Sequence, residues 1–85
     1  MNIAYTPQFL RMFRKLEPSL KEEVIEKIEL FTTDPAHSQL KAHKLKGKLK
    51  NRYSFSVNYE TRIVYTSISK SEVAFLAVGN HDVYK

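Results

Sequence analysis

The chain has no cysteine, only two glycines and three prolines in 85 residues, and no apolar run long enough to span a membrane. Without cysteine there is no disulfide staple and no thiolate metal site, which fits a reducing compartment but also many exported proteins. Stability must come from packing. The scarcity of glycine and proline beside 42% hydrophobic residues excludes a low-complexity or disordered chain. The opening "MNIAYTPQFLRMF" carries Pro7 early and lacks an apolar core segment, so it reads neither as a signal peptide nor as a membrane span. A cytoplasmic protein with no membrane partner is expected. Eighty-five residues support one hydrophobic core, hence a single domain over residues 1–85.

Charge is unevenly spread. The formal net charge is +5, yet residues 1–35 sum to −1, while residues 36–60 hold Lys41, Lys44, Lys46, Lys48, Lys50 and Arg52 against Glu60 alone. That block is either a polyanion-facing surface, most often for nucleic acid, or a solvated basic face.

"NIAY" reads as a short strand, and Thr6-Pro7 places an N-cap residue before a proline at the first helical position. Phe9, Leu10, Phe13 and Leu16 then recur at helical spacing until Pro18. Ser19-Leu20-Lys21-Glu22 fits a capping box opening a second helix, whose buried stripe is Leu20, Val24, Ile28 and Phe31 and whose end is Asp34-Pro35. From Arg52 the period becomes two: Tyr53, Phe55 and Val57 alternate with Arg52, Ser54 and Ser56. "TRIVYTSIS" and "EVAFLAV" follow as further strands joined by short polar links, which imply antiparallel neighbours. The expected fold is α+β, an N-terminal strand and a two-helix hairpin packed on one face of a small, mainly antiparallel sheet. The other face should stay uncovered, displaying Arg52, Ser54, Ser56, Arg62 and Val64, with His81 and Tyr84 at its edge.

Several residues on that face carry chemistry. In "HKLKGKLK", an extended backbone puts Lys44, Lys46, Lys48 and Lys50 on one side, as a phosphate-spaced ladder or as the guard of an edge strand. Arg62 lies inside an apolar run, either to grip a phosphate bidentately or to pair with Glu60 or Glu72. His81 can exchange a proton near neutral pH, and Tyr84 can stack on a nucleobase or close the core. His37, His43 and His81 lack metal-ligand spacing, so no metal is expected. A cation, an imidazole and a phenol on one basic sheet suffice for RNA cleavage without a cofactor: the 2′-hydroxyl loses a proton, attacks the phosphate and expels a 5′-oxygen that gains one.

"HKLKG", "YSFSV", "TRIVY" and "VGNHDVY", in that order, resemble the RelE/ParE superfamily of toxins from type II toxin–antitoxin modules. The resemblance spans essentially the whole chain. It implies a compact toxin, usually a ribosome-dependent endoribonuclease cutting mRNA in the A site, with a smaller branch that poisons DNA gyrase. Its partner is an antitoxin, here expected to cover the basic sheet with an acidic, partly disordered segment. Arg62 matches the arginine that contacts the scissile phosphate in RelE and YoeB. His43 and His81 look like two histidines of the YafQ branch, Glu60 falls where that branch has an aspartate, and Tyr84 is similar to the C-terminal aromatic that stacks on the substrate base. Ser54 and Ser56 depart from the pattern, standing where RelE has lysines; Ser56 also replaces a YafQ-branch histidine.

The expected function is therefore mRNA cleavage, with Arg62 stabilising the phosphate, His81 as acid and Tyr84 orienting a nucleotide. Lys44, Lys46, Lys48, Lys50 and Arg52 hold messenger or ribosomal RNA. The base is left open between His43, Glu60 and electrostatic help from the basic loop. The alternatives are a gyrase poison and a weakened toxin acting as an antitoxin-binding co-repressor.

Overall fold

The computed structural model describes residues 1–47, 51–80 and 83. Its elements are β1 (Asn2–Tyr5), α1 (Pro7–Arg14), α2 (Pro18–Thr33), a 3-10 turn (Ser38–Leu40), β2 (His43–Lys44), β3 (Arg52–Ser56), β4 (Arg62–Ser69) and β5 (Glu72–Gly79). They form an α+β domain with a five-stranded sheet in the order β1-β5-β4-β3-β2. Pairing is antiparallel except where β1 runs parallel to β5. Among the described residues no helix is long and apolar enough to cross a membrane.

Thr6 sets the entry to α1 as its sequence position suggests. Its hydroxyl accepts from the Phe9 N–H at 3.2 Å and donates to the Phe75 carbonyl at 2.7 Å, so one side chain caps the helix and ties it to β5. The second helix begins differently from expectation. Glu17 is its N-cap, without a side-chain bond, and Pro18 takes the first helical position, so Ser19 lies inside the helix and no capping box forms. Proline needs no N–H partner there and arrives with a helical φ, which moves the boundary two residues earlier.

Both helices cover one sheet face. Phe9, Val24, Phe31, Leu40, Phe55, Ile63 and Phe75 are buried between the layers. Phe31 stacks on Phe55 with centroids 4.6 Å apart and meets Tyr65 edge-on at 4.9 Å.

The opposite face is not open, contrary to the sequence expectation. Leu45, Val64 and Ala77 form a second, smaller apolar cluster, with Met12, Leu76 and Val83 packed against it. A register shift in β5 pairs Val64 with Ala77 but Tyr65 with Phe75, leaving Leu76 as an extra residue. That bulge lets Leu76 join Ala77 in the cluster on the face opposite the main core, against which Met12 of α1 packs from the sheet edge. Ser54 and Ser56, expected to be displayed, are 0% and 8% exposed. Short serine side chains between larger neighbours are shielded even where no second layer of helices covers them.

Candidate active site

Strand periodicity organises the face opposite the helices. Phe55, Ile63 and Tyr65 point into the main core, so their alternates Ser54, Ser56, Arg62 and Val64 point away from it. Register then sets the rows: His43 opposes Ser54, which opposes Val64, which opposes Ala77. In the next row Ser56 opposes Arg62, which opposes Gly79. His43 and Arg62 thus share a face, two strands and one row apart, or roughly 12 Å between Cα atoms by ideal sheet geometry. Long side chains on both flanks and small serines between them leave a ligand to be touched from either side. Both serines are buried, and the Ser54 hydroxyl has no hydrogen-bond partner.

Arg62 is half-buried and held by backbone. Its Nη1 donates to the carbonyls of Asn58 at 2.7 Å, Thr61 at 3.3 Å and Tyr59 at 3.5 Å, all in the β3–β4 hairpin. Among the described residues neither Glu60 nor Glu72 pairs with it, so the structural alternative for this arginine is not what the fold uses. One nitrogen serves as an anchor, and the rest of the guanidinium fork keeps its capacity to donate. His43 is exposed, and its Nδ1 lies 2.9 Å from the Lys41 carbonyl. A carbonyl can only accept, so Nδ1 carries the hydrogen and Nε2 of the neutral ring presents a lone pair to solvent.

Glu60 is placed elsewhere. Its N–H and that of Thr61 donate to the Asn58 Oδ1 at 2.9 and 2.8 Å, and its residue borders a cleft shared with Glu17 and Glu23 on the α2 side. A carboxylate among carboxylates is poorly placed to approach a phosphate.

Among the described residues the lysine ladder is also interrupted. Strand β2 ends after Lys44, and Gly47 turns the chain at φ +75°. Lys44 opposes Tyr53, whose ring packs against the helix-side core, so Lys44 lies on the opposite face from His43. Lys46 is exposed beyond the strand. Lys48, Lys50, His81 and Tyr84 lie outside the described residues. Arg52 borders a cleft of about 470 Å³ together with Arg11, Gln8, Val64, Leu76 and Val83. Sequence reasoning missed Arg11, because its position on the polar side of α1 does not reveal that α1 flanks β5. Among the described residues no three His, Asp or Glu side chains converge as a metal site.

No protein-family model and no curated protein sequence matches the chain. Solved structures do. The chain superposes on YafQ from E. coli with a TM-score of 0.79 at 17% identity, covering 98% of this chain and 96% of that one. A YoeB/ParE toxin from Agrobacterium tumefaciens gives a TM-score of 0.76 at 20% identity over 95% and 99% of the two chains. A chain of the YoeB–YefM complex from Staphylococcus aureus gives 0.73 at 24% identity over 95% and 97%. The chain therefore has the fold of RelE/ParE-superfamily toxins over essentially its full length.

Proposed function

We propose that this protein is the toxin of a type II toxin–antitoxin module and an endoribonuclease that cleaves mRNA at the ribosomal A site. The observation that carries the reading is the placement of His43 and Arg62 on one sheet face, flanking two small serines. In this reading His43 Nε2 takes the proton of a 2′-hydroxyl, whose oxygen attacks the adjacent phosphorus. Arg62 stabilises the charge gathering on the phosphate oxygens. The bond to the 5′-oxygen breaks, and His81 delivers a proton to it, leaving a cyclic phosphate and a free 5′-hydroxyl. Tyr84 stacks on or orients a nucleotide, and Lys46, Lys48, Lys50 and Arg52 hold messenger or ribosomal RNA, while Lys44, on the other sheet face, takes no part. No cofactor takes part in these steps.

The partner is an acidic, partly disordered antitoxin segment, a reading supported by the presence of a toxin–antitoxin complex among the structures with this fold. The test is to map mRNA 5′ ends by primer extension after brief induction of the wild type and of His81→Gln. Discrete cuts with the wild type and none with the variant are expected. No cuts from either, together with inhibited supercoiling by gyrase, would move the assignment to gyrase poisoning.

A further inference from the structure

Tyr59 is 91% exposed at the tip of the β3–β4 hairpin, and no feature of the mechanism above uses it. Its hairpin is braced on both sides. Asn58 Nδ2 donates to Glu23 Oε2 at 3.0 Å, Asn58 Oδ1 caps two backbone N–H groups, and Arg62 holds the Asn58 carbonyl. The ring sits on a braced turn with no ring neighbour among the described residues, so both its faces are open to solvent and available for stacking.

Beside it lies a cleft of about 400 Å³ lined by Lys27 of α2, Gln39 and Lys41 around the 3-10 turn, Ser56 of β3, Arg62 and Tyr59. No carboxylate borders this cleft, and among the described residues none of the three cations has an acidic partner within ion-pair distance. Lys41 is held at φ +49°, an uncommon conformation for a side-chain-bearing residue. Tyr59 also borders the acidic cleft of Glu17, Glu23 and Glu60 on its other flank. A bound anion is thus drawn to the lysine side and repelled from the other, which gives the site a direction.

We infer that this cleft is a nucleotide subsite for single-stranded RNA, in which a base stacks on Tyr59 while its phosphate sits between Lys27 and Lys41. The subsite rests on the ribonuclease reading, and it adds a residue that selects where on the RNA the scissile phosphate meets Arg62. Stacking on an aromatic face with a cation at the phosphate is the usual mode of single-strand recognition.

The test measures binding of a short 2′-O-methyl RNA, which cannot be cleaved, by fluorescence anisotropy across a salt series. Tyr59→Ala is expected to weaken binding on the order of 10-fold or more, and Tyr59→Phe to restore it. Lys27→Gln with Lys41→Gln should lower the salt slope by about 0.7 for each phosphate no longer neutralised. Circular dichroism establishes that each variant is folded. Unchanged affinity in Tyr59→Ala overturns the subsite even if the wild type cleaves mRNA, and leaves the three cations as a face for an acidic peptide. If the wild type cleaves nothing but the affinity and salt effects appear, the subsite stands and the ribonuclease reading falls.

Discussion

Arg62 donates from Nη1 to the carbonyl oxygen of Asn58 across 2.7 Å, which ties the first residue of β4 to the hairpin that precedes it. The same guanidinium is the group proposed to meet the phosphate, so anchoring and catalysis share one side chain. Lysine has no fork with which to do both. Arg62→Lys is expected to cut mRNA cleavage in a reconstituted translation assay by about 100-fold or more. A rate within a few-fold of wild type would remove Arg62 from the chemistry.

His43 and Glu60 compete for the role of base, and the fold separates them. His43 shares the Arg62 face, whereas Glu60 borders the cleft of Glu17 and Glu23. His43→Gln should slow cleavage by roughly 10²–10⁴-fold, while Glu60→Gln leaves it nearly unchanged. Single-turnover rates on ribosome-bound mRNA decide, and the reverse pattern would transfer the role to Glu60.

Gly79 has almost no room for a side chain. A Cβ built there falls 2.7 Å from Val83 Cγ1 and 3.9 Å from the Met12 side chain. Gly79→Ala therefore displaces Val83 or strains β5, at a cost of about 1–3 kcal/mol if nothing yields. Val83 stands between His81 and Tyr84 in the chain, so cleavage should fall by a larger factor than stability accounts for. Urea unfolding and cleavage measured on the same preparation test this, and full activity in the variant would contradict it.

Tyr65 makes stability depend on pH at the alkaline end. Burial pushes its phenol above the ordinary value of 10.0, and the neighbouring Tyr53 adds to the rise; Tyr5 is raised by burial too. The folded state holds the phenolic proton more tightly than the unfolded chain. Stability is therefore complete below about pH 10 and declines as pH rises from there through the folded-state pKa. Urea midpoints between about pH 8 and 11.5 should show that decline, and Tyr65→Phe should make it shallower. A wild-type midpoint that stays level over the range would contradict the burial argument.

Much of the architecture was legible in local pattern. Thr6-Pro7 marked the first helix and Asp34-Pro35 the end of the second, because proline and capping chemistry act within a few residues. The alternation from Arg52 onward marked β3, since period two reports one buried face whatever packs on it. The apparent capping box at Ser19 misled because Pro18 already served as the first helical residue. Among the described residues the lysine ladder does not continue past Lys44, because period two implies a shared face only while the strand lasts and β2 stops there; Lys48 and Lys50 lie outside the described residues.

The sequence by itself therefore determined the element types, the helix-side core and the basic bias of the second half, all of which depend on the order of neighbouring residues. Only the tertiary structure decided that the second sheet face carries an apolar cluster, that Glu60 sits with carboxylates, and that Lys27, Lys41, Tyr59 and Arg62 meet around one cleft. Those outcomes follow from strand register, a bulge at Leu76 and the docking of a helix beside a hairpin. Each is set by contacts between residues distant in the chain, and local spacing carries no record of them.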